Sequence, residues 1–279
     1  MKTGISVHFA LDPAAARESF SRLRLLGYDC ADLQTFVNTE TEWFSAPDRL
    51  RRCEEIGKIA RDCGILISQT HGPWRFPPQD FTEEDRAERF GKMAAALEGT
   101  AAVGAPCMAI HNIMPFGCDK NPDPERFLDL NRDFFSRLLE RAASLGVVIA
   151  LENMPFTNLI LSTPAEILDF LKEFDSPYFK VCLDTGHAAV FGLSPADAVR
   201  LIGREELACL HVHDNDGRHD YHWLPYRGVV DWADFSKALH EIGWEGTLSL
   251  ETNVSGKLPP SVRGEWEKAL AATARQLTL

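Results

Sequence analysis

Ser144-Leu145-Gly146-Val147-Val148-Ile149-Ala150-Leu151-Glu152-Asn153 contains the unit from which this chain is built. A helical pattern stops at a glycine, the residue that most easily takes the left-handed conformation that ends helices. An uninterrupted apolar run follows at once, the pattern of a parallel strand covered on both faces. The run ends on a carboxylate.

The same punctuation recurs on both sides. Strand-length apolar runs are expected at 5–9, 29–36, 65–70, 107–111, 147–152, 180–184, 209–213 and 247–251, with helical patterns between them, for example 47–63, 82–103, 124–145 and 260–277. Ser45-Ala46-Pro47-Asp48, Ser162-Thr163-Pro164 and Ser194-Pro195 place a cap before a first-turn proline. Gly27, Gly64, Gly146 and Gly243 each end a helix and lead into a strand. Eight units at about 35 residues each suit strand, crossover helix and two loops. The expected class is therefore α/β, with one closed (β/α)8 barrel domain over 1–279. A doubly wound open sheet is the alternative.

Composition bounds the function. Of 279 residues 45% are apolar, which excludes collagen-like, coiled-coil and disordered chains. The 29 basic and 41 acidic residues give a net charge of −12, which disfavours nucleic acid as a partner and suits a small molecule. The apolar start is closed early by Asp12-Pro13, too soon for a secretory signal, and no uncharged run of about 18 residues could span a bilayer. The seven cysteines are scattered and never form C-x-x-C, so a reducing, cytoplasmic setting is expected.

Ionisable groups collect at one level. His71, His111, Glu152, Asp184, His211 and Glu251 fall at the C-terminal ends of expected strands, the rim where barrel enzymes carry their sites. Glu152, Asp184 and Glu251 each end an apolar run with no lysine or arginine beside them in the run. One such residue is an ordinary strand-end carboxylate, but three that converge repel one another unless a cation sits between them. Oxygen and imidazole donors together suit Mn²⁺, Mg²⁺, Co²⁺ or Zn²⁺. His211 and His213 lie two apart and share a face, so either fits as the ligand. His8 reads as pocket wall or catalyst, His219 as a loop residue and His240 as a solvated one.

Thr70-His71-Gly72, Ile110-His111-Asn112, Leu151-Glu152-Asn153, Leu183-Asp184-Thr185-Gly186-His187, His211-Val212-His213-Asp214, Asp220-Tyr221-His222 and Leu250-Glu251, in this order, resemble the xylose isomerase-like TIM barrels. That family includes metal-dependent sugar isomerases and epimerases and the type IV AP endonucleases. The resemblance to the ketose 3-epimerase branch implies one metal on Glu152, Asp184, His211 and Glu251, with His187 and Arg218 on substrate hydroxyls. The resemblance to the endonuclease branch implies further ligands at His71, His111, His187, Asp220 and His222. His213-to-Asp216 repeats the His211-to-Asp214 spacing, so His213 stands as a further candidate. Pro225-Tyr226-Arg227-Gly228 departs from the family's Pro-Gly-x-Gly by a tyrosine.

The expected activity is isomerisation or epimerisation of a sugar or sugar phosphate through an enediol-like intermediate. Glu152 and Glu251 would move the proton and Asp184 and His211 would hold the metal, with no nucleotide cofactor. Trp74, Phe116 and Trp223 lie in rim loops that could cover the sugar. A phosphodiester hydrolase with two or three metals and an inosose-type dehydratase are the rivals. Pairing of barrels through their rim loops would make a homo-oligomer.

Overall fold

The computed structural model describes residues 1–279 except 10, 253 and 255. Eight parallel strands run β1 (Lys2–Val7), β2 (Cys30–Leu33), β3 (Leu66–His71), β4 (Cys107–Ile110), β5 (Val148–Glu152), β6 (Phe179–Asp184), β7 (Leu207–His211) and β8 (Thr247–Leu250). Each strand from β1 to β6 pairs with the next, and β1 also pairs with β8. Just past β7 the Val212 N–H donates to the Ser249 carbonyl at 2.9 Å, and the Glu251 N–H donates to the Val212 carbonyl at 3.0 Å. Those bonds close the ring, so the barrel holds and the open sheet does not.

The helices among the described residues are α1 (Pro13–Leu26), α2 (Arg49–Asp62), α3 (Glu83–Val103), α4 (Pro124–Leu145), α5 (Pro164–Leu171), α6 (Thr185–Val190), α7 (Pro195–Glu206), α8 (Trp232–Glu241) and α9 (Pro260–Leu277). Thr82 with Asp85 and Thr163 with Glu166 form reciprocal capping boxes, and Ser194 caps α7, each stabilising by about 1 kcal/mol. Gly27 and Gly146 end α1 and α4 at φ 87° and 67°, as their positions in the sequence imply. No helix among the described residues is long and apolar enough to cross a membrane.

Several boundaries move. β1 begins at Lys2 instead of residue 5 and ends at Val7, because a polar residue at the open bottom of a barrel costs little; His8 and Phe9 lie beyond it. α2 starts at Arg49 instead of Pro47, since the 3₁₀ turn Glu42–Ser45 takes up the preceding chain and Asp48 becomes the cap. β7 ends at His211, where Asp214 turns away to pair with Trp223 at 2.8 Å in both directions.

Between sheet and helices the core is large and apolar, with Phe20, Ile56, Leu97, Phe135, Val199 and Phe235 fully buried. Inside the ring the filling is small: Cys107, Ala109, Ala150, Cys182 and Cys209 pack as one cluster. All seven cysteines are free thiols. The close-packed lumen leaves the chemistry to the rim.

Candidate active site

Glu152 is at the centre. It ends β5 with 1% of its surface exposed, and its two oxygens face different neighbours. Oε1 lies 3.0 Å from His211 Nδ1 and 3.6 Å from His187 Nδ1. Oε2 lies 3.2 Å from His111 Nε2 and 3.4 Å from His71 Nε2. Burial opposes its charge, but His211 and His111 hold the carboxyl well below the usual range.

Asp184 ends β6 and caps the short helix α6. Its Oδ1 accepts the His187 N–H at 2.7 Å, and its Oδ2 lies 2.9 Å from His213 Nε2. Asn153 fixes its backbone from both sides, at 2.8 and 3.0 Å. Glu251 follows β8, with Oε2 3.3 Å from His211 Nδ1 and Oε1 accepting the Gln34 amide at 2.7 Å. Glu152 and Glu251 thus reach one imidazole nitrogen from strands three apart in the ring.

The imidazoles divide by charge. Burial works against protonating His211, yet Glu152 and Glu251 hold it well above its ordinary value. The same contest lifts His187 to about 10 through Asp184 and Asp220, and His222 to about 9 through Asp220 and Glu251. His71 is raised by Glu152 against its burial, whereas burial prevails at His111 and pushes it down to about 4.

There are three donor groups, each with its donor atoms within 4.8 Å of one another: Glu152, Asp184, His211 and Glu251; His71, Glu152 and His211, which overlaps the first; and His187, His213, Asp220 and His222, which shares no residue with them. Separations of 3.0 and 3.3 Å about His211 Nδ1 match neighbouring donors about 3.0–3.4 Å apart around an ion with bonds of about 2.1 Å. Glu152 Oε2 and both His211 nitrogens are buried and make no hydrogen bond. The donors fit a divalent cation.

The pocket above them, about 390 Å³, takes in His71, His111, Glu152, His187, Asp220, His222, Glu251 and Gln34 on its polar side. Val37, Trp74, Phe76, Met154, Pro155 and Phe156 make the other wall. Trp74 stands edge-on to His111 at 4.4 Å, and Phe76 stacks on Phe156 at 6.4 Å. No lysine or arginine is among the lining residues.

Other expected residues stand elsewhere. Arg218 is exposed, with its N–H bonded to Asp216 at 2.9 Å, and it does not line the pocket. Phe116 packs against the core, and Trp223 stacks on Tyr221 at 5.0 Å. His213, two residues past β7, lies against Asp184 Oδ2 but is not itself in the four-donor group that His211 joins; it belongs with His187, Asp220 and His222. His219 sits in the loop against Asp216, and His240 is exposed on α8. Asp214 accepts the Trp232 indole N–H at 2.8 Å and the Gly228 N–H at 2.9 Å, so it ties down a loop. In that loop Tyr226 has φ 72°, in the left-handed region that glycine adopts most easily.

Reading the sequence missed Asp32, Gln34 and Gln69, all buried beneath or beside the pocket. The first two had a signal. Asp32 and Gln34 alternate with Ala31 and Leu33, placing two polar groups on one face of an apolar run.

Comparison with known proteins shows the family and the fold. Residues 20–277 match the family model for the xylose isomerase-like TIM barrel. The chain belongs to that family. It is 35% identical to the uncharacterized protein MJ1311 of Methanocaldococcus jannaschii over 255 residues, covering 90% of this chain and 83% of that protein. It is 30% identical to the D-psicose 3-epimerase of Enterocloster bolteae over 250 residues, covering 84% and 76%. Among solved structures, a D-psicose 3-epimerase in the presence of D-fructose superposes with a TM-score of 0.78 at 19% identity, over 100% of this chain and 99% of that one. The 3-keto-D-glucoside 4-epimerase YcjR of E. coli gives 0.78 at 19%, over 99% of both. The relatives with assigned activities are sugar epimerases, and the two structures show the shared fold.

Proposed function

We propose that this chain is a divalent-metal-dependent sugar isomerase or epimerase that moves a proton at a carbon next to the substrate's carbonyl. The observation that carries the reading is the approach of Glu152 and Glu251 to one nitrogen of His211, at 3.0 and 3.3 Å, beneath one pocket. Kinship with D-psicose 3-epimerases supports the same class.

Glu152, Asp184, His211 and Glu251 would hold the ion. When bound, it supplies Lewis acidity to neighbouring oxygens of the sugar. Glu251 takes the proton from the carbon, and the released electron pair moves into the carbonyl to give an enediol-like species. Glu152, having taken a proton from solvent, gives it to the opposite face as the electron pair goes back, and Glu251 releases its proton to solvent, so the carbon loses one proton and gains one and both carboxylates are restored. His187, whose Nδ1 lies 2.7 Å from the Asn153 carbonyl, presents its other nitrogen toward Asp220 and a substrate hydroxyl. Trp74, Phe76 and Phe156 cover the sugar and exclude water. A lining without lysine or arginine favours an unphosphorylated sugar, because a phosphate monoester calls for charged donors. Arg218 takes no part in this reading.

The test is solvent exchange. Metal-loaded protein with D-fructose, D-psicose or D-tagatose in deuterated water should place one deuterium beside the carbonyl and form the epimer. No exchange with any ketohexose or ketopentose would defeat the reading. The two further donor groups favour a second reading, hydrolysis of a phosphodiester by two or three metals. Against it, Arg75 is engaged by Thr39 and Glu88 at 2.8 and 2.9 Å, and Arg227 lies over Trp223 at 4.9 Å. Cleavage of bis(p-nitrophenyl) phosphate by protein holding two or more metals would support it.

A further inference from the structure

We infer that Asp32 is a positioning residue: from behind His211 it sets that ring so that Nδ1 faces the pocket, and so tightens binding of a divalent ion. The inference rests on the metal reading above.

Asp32 is on β2 with 0% exposure and belongs to none of the three donor groups. Its Oδ2 lies 3.5 Å from His211 Nε2, on the side of the ring away from Glu152 and Glu251. The same oxygen accepts the amides of Gln34 and Gln69, both at 3.3 Å. Gln69 also donates to the Leu210 carbonyl at 3.2 Å, which ties this support to the residue before His211. Asp32 Oδ1 and His211 Nε2 are both buried and make no hydrogen bond.

A carboxylate buried against neutral amides is costly, so it needs a positive neighbour. The imidazole is the neighbour that the geometry provides. A proton on Nε2, facing Asp32, leaves the Nδ1 lone pair directed at the pocket and makes it more basic. Without Asp32 the ring loses both the preference for that tautomer and the restraint on its tilt. Nothing about Asp32 itself touches the pocket, so its effect must pass through His211.

The experiment is a titration of metal-free protein with Co²⁺, followed by visible absorption, for the wild type and Asp32→Asn, with thermal unfolding of both metal-free proteins recorded. Asparagine keeps the volume and removes the charge. The expected result is a folded variant that takes up the same number of ions with a dissociation constant about ten- to a hundredfold higher and shifted absorption bands. A folded Asp32→Asn with wild-type affinity and spectrum overturns the inference. If that variant does not fold, Gln69→Met decides: it removes the amide and leaves the carboxylate. It should weaken Co²⁺ by about threefold or more, and unchanged affinity overturns the inference. A wild type that takes up no Co²⁺ defeats the metal reading and this inference with it, an outcome distinct from the others.

Discussion

Gly186→Ala is a one-carbon change with a calculable effect. A Cβ on Gly186 would lie 2.0 Å from Cε1 and 2.4 Å from Nδ1 of the His213 ring, far inside contact distance. Neither backbone can yield. Thr185 Oγ1 donates to the His213 carbonyl at 2.7 Å and accepts its N–H at 3.0 Å, while Asn215 holds the Gly186 carbonyl at 2.8 Å. The ring must therefore leave, and the 2.9 Å contact between His213 Nε2 and Asp184 Oδ2 goes with it. Losing a charge-assisted partner costs about 1.5–3 kcal/mol and overpacking a further 1–3, about 3–6 in all. Against a typical stability of about 5–15 kcal/mol this is large, and Tm should fall by about 6–24 °C. Urea unfolding with a metal count reads both consequences. The four-donor group lacks His213, so folded variant should still bind its first ion. A stability loss below about 1 kcal/mol would refute the clamp.

Glu251→Gln should lower deuterium exchange by about 10²–10⁴-fold while the fold, seen by circular dichroism, is kept; retained exchange would remove Glu251 from proton transfer. Adding Mn²⁺ or Co²⁺ at about a hundred times its Kd should stabilise metal-stripped protein by about 2.7 kcal/mol, and an unmoved Tm would count against any ion. His211 is raised by Glu152 and Glu251, so loading must expel its proton and affinity should fall as pH falls. Calorimetry in two buffers of different ionisation enthalpy should show that release. In metal-free protein His187, raised to about 10, stabilises fully below its unfolded value near 6.5. That contribution should fade from there toward pH 10 as denaturant midpoints are followed upward.

The barrel was legible because its signals are local and repeat. Gly146 followed by Val147 to Glu152 carries a helix stop, a doubly buried strand and a rim position in seven letters, and the chain repeats that arrangement until the ring closes. Where a boundary depended on what packs nearby, the letters were insufficient. The 3₁₀ turn Glu42–Ser45 and the bridge from Asp214 to Trp223 are set by tertiary contacts. The donor cluster was legible as a set because strand ends share one rim. Which histidine meets which carboxylate was not, since His211 and His213 share a face and only the clamp at Thr185 turns them to different partners. Asp32 escaped notice because it lies inside its strand and acts through another side chain.

Charge decides between one ion and several. Five carboxylates meet at the rim: Asp32, Glu152, Asp184, Asp220 and Glu251, and the pocket brings no lysine or arginine to them. His187, raised to about 10, and His222, raised to about 9, carry protons near neutral pH, His71 is raised by Glu152 against its burial, and burial pushes His111 down to about 4. His211 gives up its proton when it becomes a ligand. One divalent ion beside these protonated rings then leaves the five carboxylates with no excess of positive charge. A second ion in the His187, His213, Asp220 and His222 group, or at His71 and His111, would have to displace protons from rings that the carboxylates hold tightly. Each displaced proton takes one positive charge away, so an ion at His187 and His222 exchanges two charges for two and has to outcompete those protons. The number of ions bound without substrate, followed as pH is raised, therefore reports whether that exchange takes place and whether the rim works with one ion or several.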